Sequence, residues 1–392
     1  MAKRQKTLRV ALTGNEAVAE AFRQVNPDVA SVYPITPQTE LMHKFSEFVY
    51  DGKADTEMIA VESEHSAMSA AVGAAAGGVR AVTATSANGL ALMWEILYIA
   101  SGLRLPIVMA VVNRALSGPL NIHCDHSDTM GARDAGWIQL FSENTQEAYD
   151  NTLQAFRIAE HHDVMLPTML TLDGFIISHT TEVLEILEDE TAKRFVGDYE
   201  PLYTLLNPEQ PVTMGALDLQ DYYFEHKRQQ IEGMYNAPRV IQEVADEYYQ
   251  LTGRRYSFFE DYRMDDAEVG VVVLGSAAGT TKEVVDNLRE RGIKAGMIKL
   301  RVFRPFPHEQ IAGALSHLKA AAVLDRSVSF GAQGGPVYLE VKSSMYGKNI
   351  PIYNYIYGLG GRDLMPAMVE SAYSDLLEGK TDQKMRYLGL RE

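Results

Sequence analysis

The stretch V32-Y-P-I-T-P-Q-T-E40 joins an apolar run, A30-S-V-Y33, to a segment with helical periodicity. Its two prolines fix φ on either side of Ile35 and Thr36, so this connection is stiff. The pattern predicts a strand, a rigid loop, and a helix with Thr36 as N-cap and Pro37 at its first position. A hydroxyl beside free helix N–H groups favours a carboxylate ligand. A well-capped helix start without any ligand is the alternative.

The same strand-to-helix alternation continues through the first half of the chain. It begins with L8-R-V-A-L12 and recurs at the apolar segments M58-I-A-V61, A81-V-T-A84 and I107-V-M-A-V-V112. Strands that are apolar at nearly every position, in repeated βα units, indicate a parallel sheet covered by helices on both faces. We therefore expect an α/β fold in which ligands bind beyond the carboxyl ends of the strands.

Residues 186–265 interrupt this alternation. They are rich in charged and aromatic residues, and only V240-I-Q-E-V-A-D-E-Y-Y249 shows a clear helical pattern. The α/β pattern resumes at V269-G-V-V-V-L274. We predict a parallel-sheet domain over 1–185, a connector with helices over 186–265, and a smaller α/β domain over 266–392.

Composition excludes several classes of function. The chain has 392 residues and a net charge of −16, which disfavours nucleic-acid and anionic-membrane binding. No apolar stretch approaches the roughly 18 residues of a membrane span, and no long apolar segment follows the basic start, so we expect no secretory signal. The single cysteine, Cys124, forbids an internal disulfide and predicts a cytoplasmic setting. One thiolate also cannot hold an iron–sulfur cluster that typically takes four.

Two acidic residues follow the next strand in V61-E-S-E-H-S66. If this segment is extended, Glu62 and Glu64 share a face, and one of them is a candidate for a buried carboxyl that transfers protons. The alternative is that both acids merely favour the helix dipole. We expect His65 to be structural.

An arginine emerges directly from the apolar strand in V112-N-R-A-L-S117. Arginine in this position usually meets an anion, so Arg114 is a candidate for ligand binding. The alternative is a structural ion pair with one of the nearby acids, Asp125, Asp128 or Asp134.

The loop that follows contains His123, Asp125, His126 and Asp128. This set could be mistaken for a metal site, but its spacing matches no zinc pattern, so we expect no metal on this chain.

Several motifs together resemble one family. They are Y33-P-I-T-P37, V61-E-S-E-H-S66, T83-A-T-S-A-N-G-L90, V112-N-R-A-L-S117, D125-H-S-D128 and Y357-G-L-G-G-R-D363. In order and spacing the chain resembles the alpha subunit of the 2-oxoacid:ferredoxin oxidoreductases, and most closely that of pyruvate:ferredoxin oxidoreductase, over essentially its whole length.

The resemblance implies that residues 1–185 form a thiamine-diphosphate domain that holds the aminopyrimidine ring, and that residues 266–392 are similar to the C-terminal domain of transketolase. It implies a beta subunit that binds the diphosphate through Mg²⁺, because this chain has no G-D-G motif with a downstream Asn. It further implies iron–sulfur clusters on gamma and delta subunits, ferredoxin as electron acceptor, and coenzyme A and a small 2-oxoacid as substrates.

The resemblance also assigns roles to residues. Glu64 matches the glutamate that hydrogen-bonds the pyrimidine N1′ and favours the tautomer that removes the thiazolium C2 proton. Thr36 and Arg114 match residues that hold the substrate carboxylate and carbonyl. Pro34 and Ser86 match cofactor-binding positions.

One position departs from this pattern, because relatives often carry Trp where this chain has His123. The departure leaves the choice of 2-oxoacid open between pyruvate and a branched acid such as 2-oxoisovalerate. Outside this chemistry, the chain could be a non-catalytic interface partner in which Glu64 and Arg114 form a structural ion pair. A free-standing thiamine decarboxylase would need the missing diphosphate motif.

Overall fold

A computed structural model describes residues 7–379 and 385–391; the basic residues Lys3, Arg4 and Lys6 lie outside them. Its strands are β1 Thr7–Thr13, β2 Val29–Val32, β3 Glu57–Ala60, β4 Ala81–Thr85, β5 Val108–Asn113, β6 Ile138–Phe141, β7 Thr168–Asp173, β8 Thr181–Leu187, β9 Phe259–Tyr262, β10 Val269–Leu274, β11 Ala295–Leu300, β12 Val302–Arg304, β13 Ala320–Asp325, β14 Ile352–Ile356 and β15 Arg386–Tyr387. Its α-helices are α1 Gly14–Val25, α2 Thr39–Tyr50, α3 Glu64–Ala76, α4 Ala87–Leu92, α5 Trp94–Gly102, α6 Ser127–Gly131, α7 Thr145–Glu160, α8 Asp189–Val196, α9 Tyr223–Thr252, α10 Ala277–Glu290, α11 His308–Leu315, α12 Pro336–Ser344 and α13 Pro366–Leu377.

The larger sheet has seven strands in the order β12-β6-β7-β5-β4-β2-β3. All neighbours in it are parallel except β12, which pairs antiparallel with β6. Strands β4, β5 and β7 are buried along their whole length, as expected of a sheet covered on both faces. The α/β prediction is confirmed for this half of the chain.

The first predicted βα unit is placed differently. Strand β1 does not enter the parallel sheet but pairs antiparallel with β8 in a two-stranded sheet. The helix after it forms as expected, because the Thr13 hydroxyl accepts the Glu16 N–H while the Glu16 carboxylate accepts the Thr13 N–H. Local signals therefore identified the strand and the helix, whereas the pairing partner lies far along the chain.

The second sheet has the order β15-β14-β13-β10-β11-β9, with β9 antiparallel to β11 and the other pairs parallel. The connector region is more regular than its composition suggested. Helix α9 runs for 30 residues with Pro238 inside it, well beyond the predicted 240–249. Strand β9 extends the second sheet from within the connector, and β12 crosses back to the first sheet. The domain limits at 185 and 265 stay a prediction.

Buried polar contacts join the two halves. Arg301 is buried between β11 and β12 and donates from Nε to Asn151 Oδ1 at 2.7 Å and from Nη2 to Gln154 Oε1 at 2.9 Å. Lys299 forms an ion pair with Glu143 at 3.0 Å and another with Glu147. Burial opposes the charge on Lys299, but these two carboxylates outweigh it and raise its pKa. Such contacts fix the orientation of β11 against α7.

Candidate active site

Five loops meet at the carboxyl edge of the larger sheet, where β2, β3, β4, β5 and β7 end. Neighbouring parallel strands bring these ends together although they are far apart in sequence. Hydrogen bonds join the loops directly: the Asn113 carbonyl at the end of β5 accepts the Gly174 N–H after β7 at 3.1 Å. A Cβ at Gly174 would lie 2.3 Å from that carbonyl oxygen, so the close approach requires glycine here.

The proline loop lies in this cluster, but the predicted helix start is wrong. Helix α2 begins at Thr39 with Gln38 as N-cap, and no side chain caps it. The Thr36–Pro37 peptide is cis, and the Pro37 carbonyl accepts Asn15 Nδ2 at 2.9 Å. Thr36 and Pro34 are exposed at the surface of the loop. Among residues 7–379 and 385–391 nothing bonds the Thr36 hydroxyl, so it is available to a ligand rather than used in capping.

Arg114 is buried and anchors the proline loop to the end of β5. Its Nη1 donates to the Thr36 carbonyl at 2.9 Å, and its Nε donates to the Asn121 carbonyl at 2.9 Å. No carboxylate lies within ion-pair distance of this guanidinium in residues 7–379 and 385–391. The alternative of an ion pair with a nearby aspartate is thus not realised, and the guanidinium keeps N–H groups available for an anion.

The two acids after β3 have different environments. Glu64 is 7% exposed at the first position of α3, where Ser63 is the N-cap. Glu62 is exposed and accepts the Ser66 hydroxyl at 2.5 Å, which lowers its pKa. The expectation that they share a face is wrong, because the helix begins between them. Within the described chain, the Glu64 carboxylate has neither a hydrogen-bond donor nor the ion pair with Arg114 that the interface alternative requires.

Polar side chains from the end of β4 lie beside the Glu64 carboxylate, and we call this group of residues the Glu64 pocket. A Cβ on Gly89 would lie 2.8 Å from Glu64 Oε1 and 2.4 Å from Thr85 Oγ1, so only glycine fits between them. The hydroxyls of Thr85 and Ser86 are buried and have no hydrogen-bond partner among the described residues. Buried polar groups are normally paired. The Glu64 carboxylate and the Thr85 hydroxyl, both close to Gly89, and the hydroxyl of the adjacent Ser86 therefore indicate a site that a polar ligand completes.

Asp128 organises the loops around this pocket, a role that the sequence did not reveal. Its carboxylate accepts the Ala87 N–H and the Arg114 N–H, both at 3.0 Å, and Asn113 Nδ2 at 2.9 Å. Burial raises its pKa to about 6, against the effect of these donors. Asp128 thus connects the end of β4 to the end of β5.

Asp173, at the end of β7, is a second residue that sequence reasoning missed. It bonds His126 Nε2 at 2.8 Å and the Ser276 hydroxyl at 2.6 Å, and pairs with Arg326 at 3.0 Å. Burial would raise its pKa, but the charges of His126 and Arg326 outweigh it and hold the pKa well below its usual range. Cys124, His126 and Asp173 lie close enough to share a cation. Because Arg326 already neutralises Asp173, we assign no metal there.

The loop after β5 also contacts the second domain. Asn121 Nδ2 donates to the Gly360 carbonyl at 3.1 Å, and the Gly360 N–H donates to Asp125 at 3.3 Å. His123 packs against Gly361 and its ring lies 5.0 Å from the ring of Phe175. The glycine turn of the second domain, Gly358–Gly361, therefore positions the loop that holds Arg114.

Comparisons with known proteins agree with this arrangement. Residues 20–246 match the family described as pyruvate flavodoxin/ferredoxin oxidoreductase, thiamine diphosphate-binding, and residues 267–369 match pyruvate:ferredoxin oxidoreductase core domain II. The chain is 59% identical to pyruvate synthase subunit PorA of Thermotoga maritima, over 98% of each chain. It is 42% identical to ketoisovalerate oxidoreductase subunit VorA of Pyrococcus abyssi, over 98% of this chain and 99% of the relative.

Solved structures share the fold. A 2-oxoglutarate:ferredoxin oxidoreductase from Magnetococcus marinus matches with a TM-score of 0.73 at 20% identity, over 95% of this chain and 66% of that one. A split-gene transketolase matches with a TM-score of 0.55 at 12% identity, over 94% of this chain and 98% of that one. Among the described helices, none is long and apolar enough to cross a bilayer. The chain belongs to the pyruvate flavodoxin/ferredoxin oxidoreductase family and contains its thiamine-diphosphate-binding domain.

Proposed function

We propose that this chain is the alpha subunit of a multi-subunit pyruvate:ferredoxin oxidoreductase. The complex converts pyruvate and coenzyme A into acetyl-CoA and CO₂ with electrons passed to ferredoxin, and it also runs in reverse. The observation that carries the proposal is that two side chains at one sheet edge have no charge partner among the described residues. The Glu64 carboxylate has no hydrogen-bond donor there, and the Arg114 guanidinium has no carboxylate within ion-pair distance. The names of the full-length relatives supply the substrate.

The Glu64 pocket would receive the aminopyrimidine ring of thiamine diphosphate, because its polar groups are suited to that ring. An aminopyrimidine presents both hydrogen-bond donors and acceptors, and the pocket offers the Glu64 carboxyl with the unpaired hydroxyls of Thr85 and Ser86. Bound thiamine diphosphate supplies the carbon nucleophile that attacks the 2-oxo group and the electron sink for the departing CO₂. Glu64 would hold a proton at the ring nitrogen N1′, and Pro34 would contact the ring from the proline loop.

Arg114 and Thr36 would bind the 2-oxoacid. The N–H groups of Arg114 that its backbone contacts leave free are suited to the substrate carboxylate, and the exposed Thr36 hydroxyl is suited to the carboxylate or carbonyl. Since Arg114 also holds the Thr36 carbonyl, the two groups are positioned together. Their shared anchor keeps the reacting carbon in register, where small displacements are costly in rate.

The remaining chemistry would lie on partner chains. We place the diphosphate and its Mg²⁺ on a beta subunit and the iron–sulfur clusters on gamma and delta subunits, because this chain has one cysteine and no G-D-G motif. Burial raises the pKa of Cys124 well above its usual value, so this thiol is not a nucleophile. The lone cysteine also supports a cytoplasmic location.

A branched-chain 2-oxoacid is the alternative substrate. The relatives named ketoisovalerate oxidoreductase are 42% identical to this chain, close to the 42–45% of several named pyruvate synthase, although the 59% match favours pyruvate. His123 lies at the loop that holds Arg114 and packs on Phe175. If His123 lies beside the bound acid, its side chain would be a place where acid size is selected.

The test is an anaerobic purification of the complex through a tag on this chain, with Glu64→Gln compared to Glu62→Gln. Coenzyme A-dependent viologen reduction is measured with pyruvate, 2-oxoisovalerate and 2-oxoglutarate. We expect pyruvate to be preferred, Glu64→Gln to lower turnover by orders of magnitude in an assembled complex, and the exposed Glu62→Gln control to retain activity.

Other outcomes separate the alternatives. Preference for the branched acid would keep the mechanism and change the substrate. Loss of assembly in Glu64→Gln with normal turnover per assembled complex would identify an interface role instead of catalysis.

A further inference from the structure

The region before and at the start of α9 exposes an unusual amount of apolar surface. We call residues 198–235 the apolar arm. Large apolar side chains along it are between 39% and 90% exposed: Leu202, Tyr203, Leu205, Leu206, Leu217, Leu219, Tyr222, Tyr223, Phe224, Ile231 and Tyr235.

The apolar arm is held against the body of the protein. The Leu205 N–H donates to the Ala76 carbonyl at the end of α3 at 2.9 Å, and the Thr204 hydroxyl donates to the Gly77 carbonyl at 2.6 Å. Further along, Arg104 Nη1 donates to the Gln229 carbonyl at 2.9 Å. These hydrogen bonds attach the backbone of the arm to the rest of the protein. The apolar side chains are therefore exposed although the segment that carries them is packed in place.

A cavity of about 870 Å³ lies between the apolar arm and the end of α5. Its walls include Ile99, Leu103, Met165, Leu217 and Tyr223. This volume is in the range of sites that hold a ligand-sized group, and its exposed apolar rim makes it suited to side chains inserted from another polypeptide.

The amount of apolar surface matches a stable protein interface. Eleven large side chains at these exposures contribute on the order of 1,000 Å². A standard interface buries roughly 800 Å² on each partner, whereas the largest apolar patch of a monomer is about 300–600 Å². Water contact at this scale is costly, so a partner chain is the occupant that the area favours.

Charge indicates which kind of chain binds. The apolar arm has seven acidic residues and two basic ones, and one of the basic residues, Arg228, is already paired with Glu232 at 2.6 Å. No cation lies within ion-pair distance of Asp221 or Glu225 in the described part of the chain. Two copies of this arm would bring like charges together, which disfavours self-association. The complementary partner is a different chain with basic residues around apolar anchors.

Exposed apolar side chains also lie on the helices that connect the candidate active site to the arm. Helix α4 follows the end of β4 and leads into α5, and these helices expose Leu92, Trp94, Tyr98 and Ile99. Ile99 also lines the cavity beside the arm. A partner that covers the arm can therefore extend along α5 toward the candidate active site.

We propose that the apolar arm binds the companion chain that completes the thiamine site, through an apolar segment of that chain flanked by lysine or arginine. The inference rests on the proposed function in assuming a two-chain site. It adds that the interface with the companion chain extends along α5 to the arm, away from the cofactor.

The first test is the double variant Leu217→Asp with Phe224→Asp, expressed with all subunits and purified through a tag on this chain. The control is Tyr50→Asp, a residue 92% exposed at the end of α2. We expect the companion chain to be recovered at least tenfold less with the double variant and normally with the control, while the thermal unfolding of the tagged chain is unchanged. Recovery of the companion at wild-type stoichiometry overturns the proposal.

A second variant, Asp221→Lys with Glu225→Lys, changes only surface charge and should not affect folding. We expect it to weaken binding of the companion several-fold, and the control Glu283→Lys on α10 to leave it unchanged. If a second copy of this chain occupied the arm, the reversal would instead strengthen self-association in native mass spectrometry, and that result overturns the proposal.

These outcomes are distinct from a failure of the proposed function. An assembled wild-type complex without thiamine or 2-oxoacid turnover would refute the function whatever the arm variants do. If the complex is fully active and the Leu217 and Phe224 double variant assembles as well as the wild type, only the proposed role of the arm is refuted.

Discussion

Replacing Arg114 by Gln should reduce the use of the 2-oxoacid much more than it affects the fold. Arg114 makes two hydrogen bonds to backbone carbonyls, one from Thr36 and one from Asn121, both at 2.9 Å. Gln is neutral and too short to reach both carbonyls while also meeting a substrate carboxylate. The change therefore removes a charged donor and loosens the proline loop together.

The expected loss follows from these contacts. A hydrogen bond from a charged donor is worth about 1.5–3 kcal/mol, and a neutral one about 1 kcal/mol. Losing the substrate contact and one loop contact gives roughly 3–4 kcal/mol, or a few hundred-fold in kcat/KM. Arg114→Lys keeps the charge but not the two-carbonyl geometry, so we expect a smaller loss of about tenfold.

The assay is steady-state viologen reduction by the purified complex, with pyruvate and coenzyme A varied separately. KM for pyruvate should rise and KM for coenzyme A should stay constant. Arg133→Gln is the matched control, because Arg133 also donates to a backbone carbonyl, that of Met130 at 2.7 Å, but lies away from the proline loop. A change in kcat/KM below threefold for Arg114→Gln, in an assembled complex, would refute a substrate-binding role.

Three further changes test other parts of the site. Gly89→Ala would place a methyl group 2.8 Å from Glu64 Oε1 and should lower turnover at least tenfold. In the control Gly73→Ala the added methyl meets nothing within 4 Å, so turnover should not change. Equal activities of the two variants would contradict a functional role for the space beside Glu64. Asn121→Ala removes the amide that bonds the glycine turn and should raise KM for the 2-oxoacid about fivefold to tenfold, as expected for about 1 kcal/mol; an unchanged KM would show that the turn does not position the loop. Burial raises the pKa of Asp325 to about 7 from its ordinary 3.8, so the folded state binds its proton more tightly, and its contribution to the free energy of unfolding falls as pH rises from about 4 to 7. Urea denaturation should show a steeper fall in the wild type than in Asp325→Asn, by roughly 1.4 kcal/mol for each pKa unit, while the slope that Asp128 contributes is present in both. Equal slopes would contradict the prediction.

The surroundings of Glu64 show how much of the candidate site could be predicted from local sequence. Glu64 and Ser86 belong to short motifs at predicted strand ends, and parallel sheets collect such ends at one edge, so their convergence could be inferred from chain order. The start of α2 could not be inferred in this way. Thr36 had the residue type and the following proline of an N-cap, but the peptide before Pro37 is cis and the Thr36 carbonyl is held by Arg114. A contact from another strand thus overrode the local capping signal.

Sequence alone determined the strands and helices with strong local periodicity, such as β5 and β10, because an apolar run needs no distant partner to be recognised. The motifs that identify the family could also be read from the sequence, and the single cysteine showed that this chain alone cannot supply the four thiolates that an iron–sulfur cluster typically takes. Tertiary structure decided which charges are paired: Asp173 is neutralised by Arg326, 153 residues later, while Arg114 and Glu64 have no ion-pair partner in the described chain. It also decided that β1 pairs with β8 and that the glycine turn supports Asn121. Pairing depends on distances between side chains remote in sequence, and those distances are set only when the two sheets pack together.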